Sequence, residues 1–368
     1  MAPSTSKPAK SANKKTPKKA TASSPIPEIN PISSYTPESF ERELKDLAAK
    51  AKDETLTKHL AAQTAIYIAA GTLLSLAALA CNASQLALSP VYGAIPSAQW
   101  HTHVVAAGCF VGWSTNLFLG RALSFKPVLL LPLVALYAVP VQFFLSRFSE
   151  TLSAQWGPLV TESVTLLPLV ALSAACVATY LDGSDLSFLP PWMADAAPGL
   201  GSYGFFKGAE VLSRDLVEHY AGRTVLNTRV GLEMVLGASY AMLAPSKFLV
   251  WTLPALLHTA VWNTHVPTAG ALARLNGTLV AEGWFILDRA ESITGYVSVI
   301  ESMNDGFRLM RCDHSLLGGE WVKFIDQGQF KGNQVAEPVY GVFAMLEAVR
   351  LVEMPKKIVD KDAKALVM

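Results

Sequence analysis

LAAQTAIYIAAGTLLSLAALAC, residues 60–81, runs without a single Asp, Glu, Lys or Arg. As a helix rising ~1.5 Å per residue, it reaches across the ~30 Å hydrocarbon core of a bilayer. This stretch predicts a membrane-spanning helix, and its neighbours repeat the signal. Residues 104–120, 127–146 and 157–181 are three more apolar runs. Two shorter ones, 230–244 and 248–266, flank Pro245-Ser246-Lys247 as a helical hairpin or a kinked, partly re-entrant pair. The expected architecture is a mainly α membrane protein with about six spans, followed by a small β-rich part.

Composition agrees. Of 368 residues, 51% are hydrophobic and only 16% charged, with a mean hydropathy of +0.32, whereas soluble chains average about 25% charge. A net charge of +1 excludes a generally basic nucleic-acid binder, so no nucleic-acid partner is expected. Cys81, Cys109, Cys176 and Cys312 have no paired spacing. That pattern fits neither a disulfide framework nor a metal-ligand motif, and it suits a reducing compartment or lipid-buried packing. The first apolar run begins only near residue 60, unlike a secretory signal peptide.

Three regions follow from the charge distribution. Residues 1–58 comprise a disordered basic tail and a polar helix. The tail carries Lys7, Lys10, Lys14, Lys15, Lys18 and Lys19 against one acid, Glu28, and has little apolar surface to bury. A mitochondrial presequence is the competing reading, weakened by the absence of arginine. Residues 59–268 form the transmembrane region, with an amphipathic helix near 205–226 that lies at the membrane interface or packs on the C-terminal part. Residues 276–368 form the β-rich part. The loop 82–99 lacks Lys and Arg, while Arg121, Lys126, Lys207, Arg214 and Arg223 mark alternate loops. The positive-inside rule then places both termini in the cytosol of a multi-pass protein, with the endoplasmic reticulum one possible membrane. The bilayer is its expected partner.

Polar groups at membrane depth are expensive and invite a functional reading. Glu162, Arg229, Glu233, His258 and His265 are such groups. Arg229 and Glu233, four residues apart, can pair on one helix face. His101 and His103 have metal-like spacing without a third ligand, so no metal site is assigned. The sequon at Asn82 would lie very close to the membrane, and the one at Asn276 is expected to be cytosolic and unmodified.

The β-rich part turns strand-like from about residue 276 to 321. Residues 294–301 alternate as a strand, Asn304-Asp305-Gly306 signals a hairpin, and 307–312 returns. Asp313-His314-Ser315 turns into 316–321, with Asp313 and His314 read as a hairpin cap or an acid/base pair. A helix over 337–353 and an apolar strand over 364–368 follow. This order, with the phrase Met310-Arg311-Cys312-Asp313-His314-Ser315-Leu316-Leu317-Gly318-Gly319-Glu320-Trp321, resembles the spermidine synthase, or polyamine aminopropyltransferase, family and its fungal multi-span membrane branch.

The resemblance implies an N-terminal β-domain leading to a Rossmann-like transferase fold. A decarboxylated S-adenosylmethionine-like donor is expected only for a full-length relative, since this chain ends at the first core strand. Positions matching the family's substrate contacts carry Gly295 and Val342-Phe343-Ala344, with Tyr340, Glu337 and Glu347 nearby. No catalytic or cofactor-binding residue is therefore assigned, and the chain alone is expected to be inactive in aminopropyl transfer. Two other readings are a membrane scaffold that forms homo-oligomers through the β-domain, and a small-solute transporter using Glu162, Arg229 and Glu233.

Overall fold

A computed structural model describes residues 37–187, 189–292, 294–322 and 337–338. The protein is mostly helical, with one small antiparallel sheet. Helix α1 (Pro37–Tyr92) is followed by α2 (Ala94–Ala122), α3 (Leu131–Ser146), α4 (Ser149–Val164) and α5 (Leu166–Leu181). The part of α1 before Ala61 belongs to a separate unit of the chain.

Four stretches are long and apolar enough to cross a membrane: Thr55–Tyr92, Ala94–Ala122, Pro127–Ser146 and Ser149–Leu181. They coincide with the first four spans read from sequence. The expectation of six does not hold. The fifth apolar run forms α7 (Arg229–Leu243), with 15 residues, and the sixth contains α8 (Leu253–Val261), with nine. At ~1.5 Å per residue neither reaches ~30 Å. Pro245 and Pro254, which lack the backbone donor and restrict the preceding residue, break this stretch into short pieces.

The core forms where these helices close on α5. Ala78, Cys81, Leu131, Val170, Val177 and Tyr240 are all essentially inaccessible. Tyr240 of α7 places its hydroxyl 3.2 Å from Ser173 of α5. Close approach of α2 and α5 depends on Gly108 and Gly112. A Cβ at Gly112 would stand 2.1 Å from the Ala171 carbonyl oxygen, and one at Gly108 3.1 Å from Val170. Small residues four apart let apolar helix backbones approach.

Helix α6 (Pro191–Tyr220) covers much of the predicted amphipathic stretch, but only part of the expected stripe is seated. Phe206 is buried; Val211, Leu212, Leu216 and Tyr220 are exposed. Glu210, also buried, pairs with Lys207. Asn82 donates to the Glu210 carbonyl and to Ser213, each at 2.8 Å, so the side chain of the first sequon is occupied within the helical packing.

The strand-like reading from residue 276 is corrected at its start. Residues Ala269–Leu279 form α9, and β1 begins at Trp284. Strands β1 (Trp284–Ser292), β2 (Gly295–Ser302), β3 (Phe307–Cys312) and β4 (Ser315–Trp321) form an antiparallel meander, with a two-residue β5 (Glu337–Pro338) at the edge of β4. Asn304-Asp305-Gly306 makes the β2–β3 turn, where Ser302 donates to Asp305 at 2.8 Å and Gly306 takes a φ of 74°.

The register of β1 against β2 slips between Ile286 and Asp288, leaving Leu287 as a bulge residue. Asn276 braces this irregularity from α9. Its amide donates to the Ile286 carbonyl at 2.8 Å and accepts from the Ile286 N–H at 2.9 Å. The second sequon is thus a buried backbone clamp. The helix expected over 337–353 lies outside the described residues except for β5, and the strand expected over 364–368 lies wholly outside them.

Candidate functional site

The sheet turns one face toward the end of α1, the start of α7 and α9, and an open cavity of about 710 Å3 lies between them. Antiparallel register builds its wall in rungs, because cross-strand partners share a face. Arg289, Ser298 and Arg311 form one rung, and Ile286, Ile300 and Leu309 the next. Leu275 and Leu279 of α9 and Leu316 of β4 add further apolar surface.

Arg229, the first residue of α7, is the charged group set deepest in this wall. It is 5% exposed, and its Nε lies 3.4 Å from Oε1 of Glu291 on β1. Glu291 Oε2 accepts the Arg229 backbone N–H at 2.6 Å, so one carboxylate meets both the helix N-terminus and the guanidinium, each favourable to negative charge. The Arg229 guanidinium also sits 4.7 Å from the centre of the Tyr296 ring. Neither Arg229 Nε nor Glu291 Oε1 has a hydrogen-bond partner among the described residues. Burial raises the Glu291 pKa above the usual carboxylate value, outweighing the lowering by Arg229. The expected pairing of Arg229 with Glu233 gives way to this longer-range one, and Glu233 instead faces Gln142 of α3.

Gly222 makes the Glu291 position reachable. Its φ is 72°, and a Cβ there would lie 1.8 Å from the Glu291 carbonyl oxygen. Asp313, in the β3–β4 turn with a φ of 48°, links sheet to helix. Its Oδ1 accepts the Tyr296 N–H at 2.8 Å, and its Oδ2 accepts the Ser89 hydroxyl of α1 at 2.9 Å. His314 Nε2 lies 2.9 Å from the Val91 carbonyl. The two residues cap and dock the hairpin, and their partners leave no acid/base contact between them. Arg311 gives both Nε and Nη2 to the Asp313 carbonyl, while Arg289 Nη2 donates to the Val266 carbonyl at 2.9 Å. His265 also lines the cavity. Burial, and then the charges of Arg229, Arg289 and Arg147, lower its pKa to about 3, so its ring is neutral at physiological pH.

A second polar cluster sits in the helical bundle. Glu162 is fully buried, and its Oε1 receives His101 Nδ1 at 2.7 Å, the Gln85 amide at 3.0 Å and the Ser84 hydroxyl at 3.1 Å. Its Oε2 has no partner among the described residues. His103 is exposed and packs edge-on against Trp100. The two histidines read as a pair thus separate, and among the described residues no group of three or more His, Cys, Asp or Glu is placed to hold a metal. His258 of α8 lies against Phe143 and Phe144.

Over 297 residues, 80% of its length, the chain is 38% identical to an N-terminal histidine N-methyltransferase of Emericella nidulans. It spans about half of that relative, 53%. This likeness overturns the resemblance to spermidine synthases: the relative is named for methylating histidine, and the aminopropyltransferase and polyamine assignments fall with it. No protein-family model matches the chain, and no solved structure matches it.

The residues that sequence reasoning missed are Glu291 and Tyr296, which matter only through Arg229, and the arginine pair flanking Ser298. Period-two alternation placed Tyr296 and Ser298 on one strand face, but pairing with β1 and β3 carries no local signal.

Proposed function

We propose that the chain takes part in N-methylation of an N-terminal histidine on a peptide or protein substrate. The observation that supports this reading is the 38% identity to a named N-terminal histidine N-methyltransferase over 80% of the chain. Methyl transfer to nitrogen needs an electrophilic methyl donor such as S-adenosylmethionine, whose sulfonium is a cation. The cavity beside Arg229 does not fit that group. Arg289 and Arg311 face it, and the two carboxylates nearby are already engaged by Arg229, Tyr296 and Ser89. No step is assigned to the donor there.

The test uses the purified full chain, S-adenosylmethionine and two peptides that differ only in beginning with His or Ala. Mass spectrometry is expected to find one methyl added to the His peptide alone. A chain that melts cooperatively yet methylates neither peptide, or treats both alike, would overturn the reading.

We also propose that the four long apolar helices cross a bilayer; Asp313 and His314 bind Ser89 and Val91 at the end of the first of them, so the sheet lies across the membrane from the loop that follows α2. The basic ends of that loop, Arg121 and Lys126, favour the cytosolic side for it under the positive-inside rule. Cysteine-accessibility labelling of sealed vesicles, with single cysteines at residues 124 and 304, is expected to find them on opposite sides. Labelling of both from one side, or release of the protein by alkaline carbonate, would refute it.

A further inference from the structure

The cavity beside Arg229 has a graded wall that neither the likeness nor the proposed methylation explains. One rung of the sheet, Arg289–Ser298–Arg311, carries two guanidinium groups, and the adjacent rung, Ile286–Ile300–Leu309, carries only aliphatic side chains. Trp284 extends the apolar wall along β1. Leu275 and Leu279 line the same space from α9. Its charge balance is positive. Glu291 lies against Arg229, and both oxygens of Asp313 already accept hydrogen bonds. The Arg289 guanidinium shows one hydrogen bond, from Nη2, Arg311 gives Nε and Nη2 to the Asp313 carbonyl, and the deeply buried Arg229 Nε has none.

About 710 Å3 is within the usual ~300–1,000 Å3 range of small-ligand pockets, too small for a two-chain bilayer lipid. Pro90 and Val91 also line it. They end the Thr55–Tyr92 helix, which is long and apolar enough to cross a membrane.

We propose that this cavity binds a single-chain anionic lipid, its carboxylate or phosphate head on the Arg289–Arg311 rung and its alkyl chain against the Ile286–Leu309 rung. An arginine fork matches either head group, and the adjacent aliphatic rung has no polar group to offer a second one. The inference does not depend on methyltransferase activity.

Its test is binding to the full chain in an uncharged detergent. Dibromostearate, which quenches nearby indoles, is titrated while tryptophan fluorescence is read. Saturable quenching is expected, and it is expected to shrink in Trp284→Phe. Removing a charge-assisted contact is expected to weaken binding by about tenfold or more, both in Arg289→Gln and when dibromostearyl alcohol replaces the acid. Arg289→Lys, which keeps the charge and loses the fork, is expected to bind more weakly than the wild type and more tightly than Arg289→Gln. Oleate and oleoyl-lysophosphatidate, competed against the probe, separate the two head groups. The proposal fails if the alcohol binds as well as the acid, or if inorganic phosphate alone displaces the probe as well as oleate does. It fails too if Arg289→Gln binds unchanged. Should that variant not fold, the acid–alcohol comparison on the wild type still decides.

Discussion

Replacing Arg229 by methionine tests whether the helical bundle and the sheet are held together by charge. The substitution keeps an unbranched apolar stem and deletes the guanidinium that faces Glu291 at 3.4 Å and the Tyr296 ring at 4.7 Å. The side chains of Arg229 and Glu291 are 5% and 3% exposed, so water replaces little of what is lost. Leaving one member of such a buried pair costs about 3–5 kcal/mol. At ~2–4 °C per kcal/mol for domains of moderate size, the melting temperature is expected to fall by about 6–20 °C.

The pH dependence has a definite sign. Burial already raises the Glu291 pKa, and Arg229 is the largest influence opposing that rise. A carboxyl with a raised folded pKa stabilises most below the ordinary value of ~4.3, and that stability is lost as pH rises through the folded value. Without Arg229 the folded value climbs further, so the melting gap between wild type and Arg229→Met widens from pH 5 to pH 8. Adding Glu291→Gln removes the stranded charge and is expected to recover part of the loss at pH 8. Scanning fluorimetry of the wild type, Arg229→Met and the double variant across that range provides the readout. A gap independent of pH, or a double variant no more stable than Arg229→Met, would refute the electrostatic account.

Gly222→Ala combines a φ of 72° with a Cβ 1.8 Å from the Glu291 carbonyl oxygen; a left-handed non-glycine residue alone costs ~1–2 kcal/mol, so a loss above about 2 kcal/mol is expected by thermal melting. Asn276→Ala strands the N–H and C=O of Ile286 at the bulge, at about 1–3 kcal/mol for each buried group left unpaired, read as a lower melting temperature and faster amide exchange at Ile286. Gly112→Leu drives a side chain into the Ala171 carbonyl; the folded yield in detergent is expected to collapse, whereas an exposed control such as Gly120→Leu, which meets nothing within 4 Å, leaves it intact. His265 has its pKa lowered to about 3, so the stability it contributes is complete above ~6.5 and is lost as pH falls toward 3. His265→Gln is expected to flatten that acid-side decline, and an unchanged slope would dismiss His265 as its source.

The helical part was legible because its signal is local. A bilayer-length run such as residues 60–81 needs nothing beyond itself to be recognised, and the four long apolar stretches were read where they lie. The error at residues 230–266 has the same root: mean hydropathy reports composition, and it is the prolines at 245 and 254 that shorten the helices to α7 and α8. The Gly108-x-x-x-Gly112 pair was also local, and that spacing would have indicated the α2–α5 contact.

The site is different in kind. Arg229 and Glu291 are 62 residues apart, and Glu162 and His101 61. Arg229 and Glu162 were visible as expensive polar residues in apolar surroundings, which identifies a residue that needs a partner without naming the partner. The nearest complementary charge was chosen in the sequence reading, Glu233 for Arg229 at helical spacing. The fold prefers Glu291 because a carboxylate on β1 accepts the backbone N–H that opens α7 at 2.6 Å and also sets its charge 3.4 Å from the guanidinium. A partner that resolves two desolvation costs displaces one that resolves a single cost, and that preference becomes readable only once β1 has been brought to the start of α7.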